Sequence, residues 1–340
     1  MKRAVYVMIS VLMLASCETY IDLTKTGPDK ILVLNGNIVA GDTLHTVYLS
    51  WSRFSGTAPV KSAHLECYVN GVLQASTSDM FEPNRFSYDA YGIKFKAPFE
   101  AGDEVRICVT ADGERVEAVG VAPKAPEISA VDTSFFKKTN DKGGKDKYCM
   151  SKIHLKDIPG ERNYYRVLIA LDSEYKATNV TPGAGYEEGQ RLSYETSDCK
   201  IDNTYESLLY RSMKIGDGGE ETGEYNYYSN RYNIFTDSAF EDAEYTLKLA
   251  VRTGFHNVYS GNYSSDYDLK EYMKLRFRVL SLSKDTYTYM NDYAFDESSQ
   301  SQWTFIDPIP YPSNVTGGIG LVSIMSPADY YIYLGTNSLY

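Results

Sequence analysis

The chain has 340 residues, 43% of them hydrophobic, and a formal net charge of −11 at pH 7. That much apolar material builds real cores, so wholesale disorder is excluded, and the length accommodates two domains. No cluster of Lys and Arg stands out in this acidic chain, so no nucleic-acid partner is expected, because phosphate contacts need grouped cations.

Lys2 and Arg3 open the chain, and Ala4 to Ala15 are apolar apart from Ser10. Ala15 and Ser16 then stand directly before Cys17. A charged start, a short apolar run and a small-residue cleavage site make a secretory signal over 1–16. The run is too short for a membrane span, which needs about 20 residues. Cysteine placed immediately after the small residues resembles the bacterial lipobox, in which the thiol is diacylated. Cys17 is therefore the expected lipidation site, and outer-membrane lipid the expected partner. Each buried methylene adds about 0.8 kcal/mol, so several acyl chains hold far more firmly than one. Glu18 follows the cysteine and Asp22 lies just beyond, a pattern that fits transport to the outer membrane and display at the cell surface. Residues 17–30, with Gly27-Pro28, read as a polar tether.

Short strand-like segments come next: "ILVLNGNIV" at 31–39, "LHTVYLSWS" at 44–52, then "AHLECYVN" and "VLQAST" around Asn70-Gly71. Asn-Gly between alternating apolar residues is the strongest short hairpin signal. "GIKFKA" (92–97), "DEVRICVTA" (103–111) and "ERVEAVGV" (114–121) follow, the last two joined by Asp112-Gly113. This spacing predicts an immunoglobulin-like β-sandwich over 31–123. "APKAPEI" carries two prolines and marks a boundary, after which 124–340 forms a larger β-rich domain.

In that domain "FFKKTNDKGGKDKY" reads as a charged, Gly-containing loop, followed by strands in "YCMSKIHLKD" and "NYYRVLIALD" (163–172). From Ser173 to Tyr232 the alternation weakens and loops are expected. Strands return at 244–254 and 274–282. One short helix follows, with Ser283 as its cap, Asp285 in its first turn, and Tyr287, Met290 and Ala294 on one face. The last section is Pro-rich, then Gly-rich, before a closing strand.

The chain carries 31 tyrosines. Tyrosine suits pleated strands, and it suits wet binding surfaces because its ring is apolar and its hydroxyl polar. The runs "EYNYYSNRY" (224–232) and "VYSGNYSSDYD" (258–268) lack alternating aliphatic partners and read as loops. Cys67 shares the inward register of Leu65 and Val69, whereas Cys108 lies opposite to Val105, Ile107 and Val109, which argues against their pairing. Cys149 and Cys199 could bridge, but spacing alone does not fix connectivity. His45 reads as a rim residue, and His64 and His154 as outward-facing; His256 has no ligand-spaced neighbour. No HExxH, GxSxG or P-loop occurs, so no catalytic residue is assigned. "GDGGEETGE" (216–224) gathers oxygen ligands without EF-hand spacing and reads as a solvated loop, so neither a metal nor a cofactor is expected.

Four later segments carry a family pattern: "DIPGERNYYRV" (157–167), "NIFTDSAFEDAEYTLKL" (233–249), "LSLSKDTYTYM" (280–290) and "PIPYPSNVTGGIGLV" (308–322). With the lipobox and the first sandwich they resemble the domain-of-unknown-function 4249 family of Bacteroidetes lipoproteins. The resemblance implies an Ig-like domain followed by a larger β-rich domain, in an accessory lipoprotein of a TonB-dependent β-barrel receptor. It assigns no catalytic residues. Simple physics accounts for the motifs: Pro159-Gly160 makes a turn, Asn163 bonds nearby backbone, Asp237 caps a turn, and Gly317, Gly318 and Gly320 permit close chain approach. The expected function is non-enzymatic capture of a peptide, glycan or metal chelate. A surface adhesin or structural lipoprotein is the alternative, and a hydrolase with dispersed carboxylates the least supported reading.

Overall fold

The structure, a computed structural model, describes residues 30–53, 56–82, 90–140, 142–178, 191–209, 230–253, 268–299 and 311–338. The expected signal, Cys17, the acidic Gly-rich run, His256 and nearly all of both Tyr-rich runs lie outside the described residues.

The chain is mainly β. In order, the strands are β1 (Ile31–Val39), β2 (Leu44–Arg53), β3 (Gly56–Ala58), β4 (Ala63–Val69), β5 (Val72–Thr77), β6 (Met80–Phe81), β7 (Tyr91–Lys96), β8 (Glu104–Ala111) and β9 (Glu114–Val121). Then come β10 (Glu127–Thr139), β11 (Lys145–Lys156), β12 (Tyr164–Thr178), β13 (Arg191–Asp198), β14 (Ile201–Asp202), β15 (Ile234–Thr236), β16 (Glu244–Arg252) and β17 (Asp268–Leu282). Helix α1 (Lys284–Ser299), β18 (Val315–Thr316) and β19 (Val322–Ser338) complete the described elements.

One long sheet, ordered β13-β12-β17-β19-β1-β2-β7-β6 with β15 on β12 and β3 on β2, runs through the molecule. A five-stranded sheet, β18-β9-β8-β4-β5, covers one half of it, and a four-stranded sheet, β10-β11-β16-β14, covers the other. The result is two β-sandwiches that share a layer. Between the first pair lies a core of Leu34, Leu49, Leu65, Ile93 and Ile107; between the second lie Tyr165, Phe277, Ile153 and Leu249. Each such side chain contributes about 1.5–3 kcal/mol on burial.

β19 joins the two halves. Val322 and Ile324 enter the first core, and Tyr330, Ile332 and Leu334, at the same strand parity, pack on the second. Met325 points to the opposite face and meets Met290 of α1 in a third, smaller cluster. β1 and β19 pair in parallel, Gly36 opposite Val322, although β1 is antiparallel to β2. The segment 31–123 therefore does not close its core alone: Val315, Val322 and Ile324 come from the far end of the chain.

Local signals explain much of this. Asn70 (φ 50°) and Gly71 (φ 78°) both sit at positive φ, as do Asp112 (φ 49°) and Gly113 (φ 94°), the requirement of a type I′ hairpin. The Ser283 hydroxyl accepts from the Thr286 amide at 3.1 Å and caps α1. A Cβ on Gly318 would collide with the Leu32 carbonyl, and one on Gly320 with that of Leu34, so the glycines let this segment lie against β1.

Two loop expectations are corrected. "FFKKTNDKGGKDKY" is a hairpin: Phe135 to Thr139 pair with Cys149 to Lys145, and only the tip between them turns. β12 does not stop at Asp172 but pairs with β17 as far as Thr178 opposite Asp268. The end of β10 runs past the core, where inward-outward alternation no longer has a buried side to mark.

Candidate functional site

Two of the family-pattern segments, 157–167 and 233–249, are tied together in the second sandwich. Asp157, 6% exposed, accepts from the Tyr165 hydroxyl at 2.9 Å, the Asn163 amide side chain at 3.3 Å and the Asp242 backbone N–H at 2.9 Å. Asp237 accepts from the Asn163 backbone N–H at 2.6 Å, and Asp242 from the Gly160 N–H at 3.0 Å. Asn163 also donates to the Ile158 and Glu161 carbonyls, as its place before the strand suggested. Burial, then hydrogen bonding to Asp157, pushes the Tyr165 phenol well above its ordinary range, so it stays a donor. These residues form a clamp between the β11–β12 and β15–β16 connections, and their role is structural.

A candidate binding site lies elsewhere, at the open edge of the second sandwich. A cavity of about 680 Å³ is bounded by Tyr148 of β11, Lys200 to Asn203 around β14, the turn at Asn230 to Asn233, and Arg252 of β16. That volume lies in the range of small-molecule pockets. Asn230 holds the turn rigid: its side chain donates to the Ile234 carbonyl at 2.7 Å and accepts from the Ile234 N–H at 3.0 Å. Among the described lining residues are three cations, Lys200, Arg231 and Arg252, and one carboxylate, Asp202. Asp202 is already bound by Lys138 at 2.9 Å. Partial burial opposes its charge, but hydrogen bonds from Thr204 and Lys138 outweigh that and hold its carboxyl below the usual range. Arg252 meets Asp146 at 2.9 Å. Lys200 has no carboxylate partner among the described residues.

Arg231, which lines the pocket, also lies beside a group of tyrosines toward α1. The guanidinium of Arg231 lies 5.2 Å from the Tyr232 ring centre and that of Arg166 lies 5.7 Å away. Tyr289 and Tyr293, one turn apart on α1, are within 3° of parallel at 6.1 Å. Tyr311 approaches the same two rings at 5.3 and 6.2 Å. Burial, followed by the nearby hydroxyls of Tyr293 and Tyr232, raises the Tyr289 phenol.

On the other side stands the β10–β11 hairpin, whose described residues include Lys137, Lys138, Lys142, Lys145, Lys147 and Asp146. The expectation that cations are nowhere grouped is corrected here: five lysines fall within 137–147, and the hairpin keeps them at one end. It shares Tyr148 with the pocket and joins it through the Lys138–Asp202 and Asp146–Arg252 pairs.

The singled-out histidines and cysteines do not converge on this site. His45 is 3% exposed rather than at the rim. Its inward register with Val47 and Leu49 persists because the segment after β7 covers it: its ring lies 5.5 Å from Phe95 and 5.3 Å from Phe99, with Nε2 3.0 Å from the Ala97 carbonyl. His64 is exposed beside Ser78, and His154 pairs with Asp132 at 3.0 Å. Cys67 is in the first core, whereas Cys108 faces away and donates to Glu117 at 3.2 Å. Cys149 and Cys199 both pack on the second core and both are free thiols. Among the described residues no group of three His, Cys, Asp or Glu is placed to hold a metal ion. None of their helices is long and apolar enough to cross a membrane.

Two fused β-sandwiches that share a layer define the molecule as a β-sandwich protein. The chain belongs to the family described as domain of unknown function DUF4249, whose pattern matches residues 18–330. No curated protein matches it. Among solved structures it is similar to a DUF4785 family protein from Legionella pneumophila, at 11% identity and a TM-score of 0.19 over 72% of this chain and 50% of that one. The Yersinia pseudotuberculosis adhesin InvE gives 13% identity and a TM-score of 0.18 over 73% and 55%. The BSP domain of a biofilm associated protein gives 6% and 0.17 over 90% and 60%. The chain thus spans about half to three-fifths of these proteins, and at such scores they say nothing of its function.

Proposed function

We propose that this protein is a lipid-anchored accessory protein of the outer membrane, displayed at the cell surface, which captures a nutrient for a TonB-dependent β-barrel transporter. The edge pocket is the single observation that carries the reading. Its walls carry Tyr148, asparagines, Asp202 and basic side chains on strands and a clamped turn, an arrangement suited to holding a polar ligand. The lipobox at Cys17 supplies the anchor and the family resemblance supplies the transporter. Geometry suits this division of labour. β1 runs from Ile31 toward the second sandwich and β19 continues through it to Ser338. The 230–233 turn bonds β12 at Val167, level with Ala328 of β19, so at about 3.3 Å per residue the pocket stands tens of ångströms from Ile31. The test is a pull-down from solubilised outer membranes with the protein as bait. Recovery of a β-barrel transporter is expected; recovery of the protein with none would overturn the proposal.

A further inference from the structure

The second sandwich carries a long strand at the end of a sheet, and its residues complement themselves. β10 ends the four-stranded sheet and has 13 residues. The other strands at sheet ends, among the described residues, run from two residues in β14, β18 and β6 to eight in β13. The strand partner of β10 among the described residues is β11, on one side. Its other side offers a row of backbone donors and acceptors about 40 Å long, at about 3.3 Å per residue. Eight of the 13 residues are exposed, so this row stands open. An open edge of such length is a template for pairing with a further strand.

A bulge at Ser129 interrupts the alternation of β10, since Ile128 pairs with Leu155 and Ala130 with His154. Beyond it Val131, Thr133 and Phe135 lie on the core face, opposite Ile153, Ser151 and Cys149. Asp132, Ser134 and Lys138 lie on the outer face, as does Glu127 opposite Lys156 before the bulge. Antiparallel pairing with a second β10 sets like faces side by side, so the register moves only in steps of two. With Thr133 opposite its own copy, Val131 lies opposite the second copy's Phe135 and Asp132 opposite Ser134. Ala130 meets Phe136, and past the bulge Ile128 meets the stem of Lys137 and Glu127 meets Lys138. Threonine pairs, aromatic–β-branched pairs and opposite charges are the cross-strand contacts that stabilise sheets. Phe135, 49% exposed in the single chain, thereby gains an apolar neighbour. Glu127 already holds Lys156 at 3.4 Å, and Lys138 holds Asp202 at 2.9 Å, so charge alternates in sign across each end of the seam. Other registers lose these contacts. Two residues one way sets Asp132 against itself, and two the other way sets Val131 against Lys137 and Asp132 against Phe136.

We propose that two copies of this chain associate through β10, antiparallel about a two-fold axis at Thr133, so that their four-stranded sheets join into one. The contact is isologous: each Glu127 meets the other copy's Lys138, and each Val131 the other copy's Phe135. The association is independent of nutrient capture.

The experiment uses the full-length, detergent-solubilised protein. Light scattering, with the detergent mass subtracted, is expected to give two chains per particle at micromolar concentration. Phe135→Glu is expected to raise the dissociation constant about ten-fold or more while leaving the circular-dichroism spectrum unchanged. Thr133→Cys is expected to cross-link to its own copy under mild oxidation, with the parent protein as the blank. Directly opposite Cα atoms lie about 4.5–5.5 Å apart, within disulfide reach. Lys137→Cys is the control, because its two copies stand about 26 Å apart in this register and should stay unlinked. A single chain throughout the micromolar range overturns the proposal. So does a dimer that Phe135→Glu leaves intact, or one in which Lys137→Cys links as readily as Thr133→Cys, since the contact then lies elsewhere. A single chain whose Thr133→Cys form links in whole cells to a different protein assigns the edge to that protein, and overturns the proposal as well.

Discussion

Replacing Asp157 by Ala is expected to loosen the clamp between the β11–β12 and β15–β16 connections. Asp157 accepts three hydrogen bonds, from Tyr165 Oη, Asn163 Nδ2 and the Asp242 N–H, and is only 6% exposed. Tyr165 is wholly buried, so its hydroxyl has no ready access to water once the carboxylate is gone. Each buried donor left without a partner costs about 1–3 kcal/mol. Asn163 keeps the Ile158 and Glu161 carbonyls, so its loss is small, and relief from holding a buried charge offsets part of the rest. The net cost is about 3 kcal/mol. Urea denaturation followed by tryptophan and tyrosine fluorescence reads it directly. With a slope of about 3 kcal/mol per molar, the midpoint should fall by about 1 M. Tyr165→Phe, which removes one donor and leaves the carboxylate two others, should cost about 1 kcal/mol. In the double mutant the two costs should fail to add by at least about 0.5 kcal/mol. A midpoint shift below about 0.3 M for Asp157→Ala, or strict additivity with Tyr165→Phe, would refute the clamp.

Gly318→Ala should destabilise by at least about 2 kcal/mol, because the new methyl meets the Leu32 carbonyl and Val116; a melting temperature equal to that of the parent protein contradicts the close approach. Burial lowers the His45 pKa below 6.5, despite the hydrogen bond from its ring to Ala97 and the charge of Asp42. A base that is neutral when folded takes up its proton more readily unfolded, so its favourable contribution is complete above 6.5 and is lost as pH falls below it. Denaturation midpoints of the parent and of His45→Gln should therefore converge as pH drops from 7.5 to 5; parallel curves would contradict it. Desolvation pushes the Cys67 thiol up to about 12 and the Cys199 thiol up to about 11, so peptide-resolved alkylation at pH 8 should leave both largely unmodified until denaturant is added. Metabolic labelling with a palmitate analogue should mark the native protein and spare Cys17→Ala.

The hairpins, the helix cap and the glycine-permitted crossing were legible because each depends on residues near in sequence: Asn70-Gly71 needs two positive φ values, and Ser283 needs only the Thr286 amide. Alternation also placed Cys67 inward and Cys108 outward. It failed where strands outrun their core. Phe135 to Thr139 have no buried face to alternate against, so a paired strand read as a loop. His45 was misplaced because strand register gives the side of the sheet but not what later covers it. The pocket was illegible for a different reason. Its cations stand at 200, 231 and 252, each unremarkable in its own segment, and only the crossing of β14, the 230–233 turn and β16 brings them together.

The parallel pairing of β1 with β19 also sets when the molecule can finish folding. The Leu321 amide bonds the Asn35 side chain across 286 residues, and the first core stays open on that side until Val322 and Ile324 arrive. Contacts between such distant segments must overcome a large loop-closure entropy before they stabilise anything, which makes folding slow. During synthesis the leading half of the polypeptide consequently stays unsealed until nearly all of it exists.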